Sequence, residues 1–119
     1  MSFLDLHRDL AWVVVVANGI AGCWALAANW VEPLRVRALW WFTAAAEIAI
    51  FVQVALGVGA VALDDIEAPE FHMFYGFVAL ASVGIVYSYR SQLEPHKYLL
   101  YGGGGLFLMG LGIRAMVLA

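Results

Sequence analysis

Four long apolar runs constrain this chain more than any other feature of its sequence. They cover residues 10–28, 38–63, 71–89 and 98–119, and short polar connectors separate them. Each run has about the length that a helix needs to cross roughly 30 Å of hydrocarbon. A segment in lipid must satisfy its own backbone hydrogen bonds, so we predict a helix for each run. This includes the valines at 13–16, which would favour a strand in water.

The composition supports a membrane protein. The 119 residues are 65% hydrophobic and 13% charged, and the mean hydropathy is +0.88. A soluble domain of this size would aggregate with so much apolar surface. We therefore predict one all-α transmembrane domain over residues 1–119, an antiparallel four-helix bundle embedded in the lipid bilayer. The formal net charge of −3 gives no reason to expect nucleic acid as a partner.

The charges of the connectors predict the orientation of the bundle. The first and third connectors carry the basic residues Arg35, Arg37, Arg90 and Lys97. The middle connector carries only acidic charges, at Asp64, Asp65, Glu67 and Glu70. The positive-inside rule then puts both termini and the acidic connector outside. An interfacial belt is expected near the basic side, from Trp24, Trp30, Trp40, Trp41, Tyr87, Tyr89, Tyr98 and Tyr101. We expect a multi-pass protein of the bacterial cytoplasmic membrane.

The chain contains a weak internal repeat. His7, an apolar run, a basic connector and a second run are followed by His72 and the same succession. The repeat is visible in the histidines and in the charge layout more than in residue identities. We therefore predict two similar helical hairpins, with both termini outside and the two histidines at the same depth near the outer face.

The two histidines are candidate axial ligands of one heme iron. The residues that follow them on one helical face are small or slim: Ala11, Val14 and Asn18 after His7, and Gly76, Ala79 and Val83 after His72. A flat macrocycle between helices needs such residues, and two imidazoles on one iron make an electron-transferring site. Alternatively, each histidine is an amphipathic residue at the membrane surface. Zinc is less favoured because no further histidine or cysteine lies nearby, although Asp5, Asp9 and Glu70 could assist.

Four further residues are assigned to the candidate site. Arg114 lies near the outward end of the last run, where it could pair with a heme propionate, reach the outer interface or pair with the acidic connector. Gln53 and Gly57 share a face of the second run and could pack or hydrogen-bond at the heme edge. Glu47 lies nearer the cytoplasmic side and could serve a proton path, a quinone-like headgroup, a partner subunit or a hydrogen bond within the bundle.

Two other features receive structural interpretations. The four glycines at 102–105 do not form a phosphate-binding loop, because no Lys-Ser/Thr pair follows them. Small residues let helices approach closely, so we predict tight helix packing there. His96 lies beside Lys97 in a basic connector, and we expect it to be solvated.

Part of the chain resembles the heme A synthase family. Residues 53–57, with the sequence QVALG, are followed by a short acidic connector and His72, and histidines stand on the first and third predicted helices. That family consists of two four-helix bundles, each with paired histidines that hold heme, so the resemblance implies that this chain is a single bundle. The fold is also similar to that of four-helix membrane b-type cytochromes.

The resemblance departs from the synthase pattern at one position. In the catalytic half of the synthases a glutamate lies one turn before the first ligand histidine. This chain has Leu4 there, and its nearest acid, Asp5, lies on a different face. The resemblance therefore implies His7 and His72 as axial ligands and argues against heme hydroxylation.

The sequence leaves three functions open. The first is a small membrane protein that binds heme b and transfers electrons, or that serves as a cofactor-bearing subunit of a respiratory or redox complex, without independent catalytic activity. The second is a cofactor-free structural or assembly subunit of a larger membrane complex. The third is a heme-modifying or quinone-using enzyme, which the missing acid before His7 disfavours. In the first two cases we expect other membrane subunits, or further copies of the chain, as partners.

Overall fold

Four long helices make up most of the protein. The computed structural model describes residues 2–119, and Met1, the first residue of the predicted domain, lies outside the described residues. The helices are α1 (Phe3–Ala28), α2 (Arg37–Leu63), α3 (Glu70–Ser88) and α4 (Lys97–Val117). Short 3₁₀-helices, Glu32–Leu34 and Glu94–His96, lie in the first and third connectors. Residues 2–119 contain no strand, so the prediction of an all-α chain with four helices is confirmed.

The first helix begins earlier than the sequence predicted, at Phe3 instead of residue 10. Ser2 and Asp5 form a capping box. The Ser2 hydroxyl accepts a hydrogen bond from the Asp5 amide at 3.1 Å, and the Asp5 carboxylate accepts one from the Ser2 amide at 3.4 Å. These bonds satisfy two amides that a helix start leaves unpaired. His7 therefore lies in the second turn of α1, where its backbone is held by a regular helix.

Neighbouring helices run in opposite directions. α1 packs on α2 and α4, α3 packs on α4, and α2 and α3 pack together sparsely, whereas the pairs α1–α3 and α2–α4 have almost no contact. Hence α1 and α3 lie on opposite sides of the bundle. Hydrogen bonds from His7 to Gln53 and from His72 to Ala115 show that α1 and α3 start at the end of the bundle where α2 and α4 finish. We refer to this end as the histidine end, and to the end with the first and third connectors as the basic end.

The basic end is densely packed. Ala25, Ala28 and Leu39 have 0% exposure. Four aromatic side chains pack against them: Trp24, Trp40, Tyr98 and Tyr101. Arg35 joins the cluster, because its guanidinium carbon lies 4.8 Å from the centre of the Tyr98 ring. Its Nε donates to the Ala28 carbonyl at 2.7 Å. The first connector is thus hydrogen-bonded to the end of α1.

Two glycines of α4 allow a close crossing with α1. An added Cβ on Gly105 would lie 2.7 Å from the Cα of Gly22, and one on Gly102 would lie 2.9 Å from the Cα of Leu26. These contacts are between backbones and leave no room for a side chain. The predicted tight packing at the glycine run is confirmed at these two positions.

Large apolar side chains cover the outside of the bundle. Ile48 of α2 is 61% exposed and Phe71 of α3 is 67% exposed. Each of the four helices is long and apolar enough to cross a membrane. The exposed surface is therefore of the kind that lipid solvates better than water does.

Candidate functional site

The imidazoles of His7 and His72 face each other across the interior of the histidine end. Their ring centres are 5.8 Å apart, and their planes are inclined by 82°. Both side chains are half-buried. An imidazole nitrogen binds a transition metal at about 2.0–2.1 Å, so two rings on opposite sides of one ion have centres about 6.4 Å apart. The observed separation of 5.8 Å is about half an ångström shorter, so the two rings would move slightly apart to hold one ion.

Both imidazoles are hydrogen-bonded through the same nitrogen atom. Nδ1 of His7 donates to the main-chain carbonyl of Gln53 at 2.9 Å, and Nδ1 of His72 donates to that of Ala115 at 2.6 Å. A carbonyl oxygen can only accept, so each Nδ1 carries a proton, and Nε2 of the neutral ring keeps its lone pair. Histidines that bind metals usually donate their other ring N–H to a carbonyl or carboxylate in this way.

The two hydrogen bonds repeat between the two hairpins. His7 of α1 bonds to α2, the second helix of its own hairpin, and His72 of α3 bonds to α4. The internal repeat that was read from the histidines thus extends to the way each imidazole is held. The two rings meet between α1 and α3.

An apolar cavity of about 260 Å³ adjoins the two rings. Many of its walls are small residues: Ala11, Gly76, Ala79, Gly112 and Ala115. A buried cluster closes it toward the middle of the bundle, with Val14, Ile50, Leu108 and Leu111 as members that also line the cavity. The cavity is slightly smaller than common ligand pockets, which measure about 300–1,000 Å³. A macrocycle bound there would therefore also extend into the gaps between neighbouring helices. Among neighbouring helices, α2 and α3 pack together most sparsely, so a macrocycle could separate them most easily.

Gln53 holds His7 through two groups. Besides accepting from the imidazole, it donates from Nε2 to the main-chain carbonyl of His7 at 2.7 Å. Its Oε1 is buried and has no hydrogen-bond partner within residues 2–119. Gln53 also lines the cavity. Gln53 therefore contacts both His7 and the cavity. Its predicted contact with the edge of a heme stays a prediction.

Gly57 also lies at His7, on the same face of α2. An added Cβ at Gly57 would be 3.0 Å from Cε1 of the His7 ring. Gly76 is different, since an added Cβ there would meet no described atom within 4 Å. Gly57 thus borders the imidazole, whereas Gly76 borders the cavity.

Asn18 and Glu47 lie away from the cavity walls. Asn18 is 2% exposed, and its Nδ2 donates to the carbonyls of Val14 at 2.9 Å and Ala46 at 3.2 Å. Its amide therefore ties α1 to α2 deeper in the bundle. Glu47 is half-buried in α2 and has no salt bridge to the described residues. Neither residue is brought next to the two imidazoles.

Basic residues stand at the rim of the cavity. Arg114 is exposed, and its guanidinium carbon lies 5.9 Å from the centre of the Tyr75 ring, which lines the cavity. Arg8 lines the cavity directly, although it was not among the predicted site residues. Arg8 could have been identified because it directly follows His7 in the sequence. Tyr75 could have been identified because it lies three residues after His72, on the same helical face.

The histidine end is the region from which a function can be inferred. No family model matches the chain, and no curated protein and no solved structure matches it. Within residues 2–119, no group of three or more His, Cys, Asp or Glu side chains is placed to hold a metal ion. The chemistry of the site thus depends on two imidazoles, an apolar cavity and a basic rim.

Proposed function

We propose that this protein is an integral membrane protein that binds one b-type heme between His7 and His72. It transfers electrons, alone or as a subunit of a respiratory or redox complex. The observation that carries the proposal is the pairing of the two imidazoles, with ring centres 5.8 Å apart and both Nδ1 atoms hydrogen-bonded to carbonyls. Each Nε2 is then free to bind iron.

The number of protein ligands favours heme over a bare metal ion. Zinc sites use three or four protein ligands, whereas a heme iron needs only the two axial ones from the protein. A heme with two axial imidazoles supplies one-electron transfer between its ferric and ferrous forms. The two histidines leave no axial position for a substrate, which agrees with electron transfer rather than with catalysis on a bound molecule.

The surrounding residues have separate tasks in this proposal. The carbonyls of Gln53 and Ala115 hold the protons on Nδ1 and make both imidazoles better ligands. The apolar walls exclude water from the ring. Arg8 and Arg114 at the rim bind the carboxylate groups of the macrocycle, since guanidinium and carboxylate form strong charge-assisted hydrogen bonds.

We further infer that the histidine end faces outward across a bacterial cytoplasmic membrane. The basic connectors at the opposite end support this orientation through the positive-inside rule. The likeness to one bundle of a heme A synthase fits a unit with one histidine pair. Asp5, the nearest acid before His7, is engaged in the capping box of α1, which argues against a part in heme hydroxylation.

The proposal is tested by absorption spectroscopy of the purified protein in detergent after heme is supplied. We expect a Soret band and sharp α and β bands on reduction. His7→Ala and His72→Ala should abolish the sharp reduced bands, whereas His96→Ala, an exposed histidine at the basic end, should leave them unchanged. A colourless protein after reconstitution, or full spectra in both ligand variants, would contradict heme binding at this pair.

A second candidate function is that of a cofactor-free subunit of a larger membrane complex. It is favoured by the sparse contact between α2 and α3 and by the exposed Ile48 and Phe74 on those helices. A partner helix could pack against α2 and α3. A folded, colourless protein that copurifies with larger membrane subunits would support this function instead.

A further inference from the structure

His7 and His72 each donate one hydrogen bond to a main-chain carbonyl, but the two carbonyls lie at different places in their helices. Ala115 lies in the last turn of α4, which ends at Val117. The amide four residues later, that of Ala119, donates to Met116 instead, at 3.2 Å. The Ala115 carbonyl is therefore one of the unpaired groups at a helix end. His72 can reach it without competing with the helix.

The acceptor of His7 lies in the middle of α2. In a regular α-helix the carbonyl of Gln53 already accepts from the amide of Gly57, four residues later. A carbonyl oxygen has two lone pairs, so it can take a second hydrogen bond from the side. That approach passes over residue 57, whose side chain would stand beside the carbonyl.

The His7 ring occupies the place that a side chain at position 57 would need. An added Cβ on Gly57 would be 3.0 Å from Cε1, 3.3 Å from Nδ1 and 3.6 Å from Nε2 of His7. The histidine cannot easily move away as a unit, because Gln53 Nε2 holds the main-chain carbonyl of His7 at 2.7 Å. A methyl group at position 57 would therefore turn the ring within its pocket.

We propose that Gly57 is the positioning residue of His7. By leaving the Gln53 carbonyl open, it fixes the proton on Nδ1 of His7 and holds this ring nearly perpendicular to that of His72. No glycine of residues 2–119 has His72 among the nearest atoms to its added Cβ, so none has this task for His72. The effect of Gly57 on the proton and orientation of the His7 ring follows from the geometry alone. Its effect on a bound iron rests on the proposed function.

The first test uses the full-length, heme-free protein in lipid nanodiscs with ¹⁵N-labelled histidine. Long-range ¹H–¹⁵N spectra report which ring nitrogen carries the proton, and His7→Ala assigns the signals. We expect wild-type His7 to be protonated at Nδ1 and Gly57→Ala to shift it toward the Nε2-protonated form, with His72 unchanged as the internal control. Wild-type His7 protonated at Nε2, or a Gly57→Ala spectrum identical to wild type, would overturn the proposal.

Gly59→Ala is the matched control for the same helix. An added Cβ there would lie 3.3 Å from the Phe3 ring, so it crowds a side chain of α1 without touching the imidazole. It should leave the His7 signals as they are in wild type. An equal change in Gly59→Ala and Gly57→Ala would mean that the spectra report a general displacement of α1, which would also overturn the assignment to Gly57.

The second test is electron paramagnetic resonance of the ferric, heme-loaded protein. If both rings bound the iron in their present orientation, with planes inclined by 82°, two iron d orbitals would be close in energy and the low-spin signal would be strongly anisotropic, with a large gmax. We expect this signal in wild type and Gly59→Ala, and a smaller gmax in Gly57→Ala. An unchanged gmax in Gly57→Ala would overturn the role of Gly57 toward iron.

The two proposals fail in distinguishable ways. A protein that binds no heme but shows the expected tautomer change in Gly57→Ala contradicts the proposed function and keeps the role of Gly57 toward His7. A protein that binds heme through both histidines, with neither spectrum affected by Gly57→Ala, keeps the function and contradicts the role of Gly57.

Discussion

The basic end and the histidine end of the same bundle are packed in opposite ways. At the basic end, Ala25, Ala28 and Leu39 have no exposed surface, and aromatic and basic side chains cover them. At the histidine end a cavity of about 260 Å³ remains, and the buried Gln53 Oε1 has no partner within residues 2–119. The comparison indicates that the basic end and the close α1–α4 crossing hold the helices together. The histidine end can then keep its cavity, although an unfilled cavity lowers the free energy of unfolding. Functional sites commonly lower stability in this way.

The largest difference is expected from truncation of leucines at the two ends. Leu39→Ala should lower the free energy of unfolding by about 4 kcal/mol, because the rigid aromatic side chains around it cannot collapse into the space. Leu111→Ala should cost about 2 kcal/mol, because Leu111 already borders a cavity. Circular dichroism during reversible unfolding in mixed micelles measures both. Equal losses would show that the two ends are packed equally well.

The α1–α4 crossing predicts a smaller effect. Gly105→Ala should cost about 2 kcal/mol, because the new Cβ would lie 2.7 Å from the backbone of Gly22. Gly103→Ala is the control in the same glycine run, since its Cβ would meet no described atom within 4 Å. It should be neutral or stabilising by up to about 1 kcal/mol. Similar unfolding curves for the two variants would contradict the close crossing.

Filling the cavity should weaken heme binding with little change in the stability of the heme-free protein. Gly76→Leu places a side chain where nothing described lies within 4 Å of the Cβ. Heme affinity should fall at least about tenfold, while the free energy of unfolding of the heme-free protein changes by less than about 1.4 kcal/mol. Gly84→Leu, also unobstructed on α3 but outside the cavity lining, is the control for heme titration. A Gly76→Leu protein with wild-type heme affinity would show that the macrocycle does not occupy this cavity.

The smallest effect is expected at the charged rim. Arg8→Gln and Arg114→Gln should each lower heme affinity about threefold, because both guanidinium groups are exposed and their ion pairs are screened by solvent. Arg37→Gln, at the basic end, is the control and should change heme affinity by less than the error of the titration. Raised salt should reduce the differences among these variants. An effect at Arg37 as large as at Arg8 would indicate a general charge effect instead of a rim contact.

The number of helices and most of their bounds could be predicted, because helix formation in lipid depends on local hydrophobic length. Predicted bounds of 71–89 became Glu70–Ser88, and 38–63 became Arg37–Leu63. The start of α1 was predicted too late. Its first turns carry Asp5, Arg8 and Asp9, so hydropathy excluded them, although the Ser2 and Asp5 spacing marks a helix cap.

The candidate site could be predicted only in part. The repeat placed His7 and His72 at one depth, and the structure brings their rings together. The helical face after His7 was extended to Asn18, but the structure directs that amide to the carbonyls of Val14 and Ala46. A face can be read from helical spacing, whereas the neighbour that meets the face depends on how the helices pack.

The sequence by itself therefore determined four apolar helices, two hairpins and a histidine near the start of each hairpin. These properties follow from local hydrophobicity, charge and the 3.6-residue period of the helix. Only the tertiary structure decided that α1 and α3 lie on opposite sides of the bundle and that the two imidazoles donate to Gln53 and Ala115. Such partners are distant in the chain, and their meeting depends on close contacts such as that between Gly57 and the His7 ring, which no local pattern encodes.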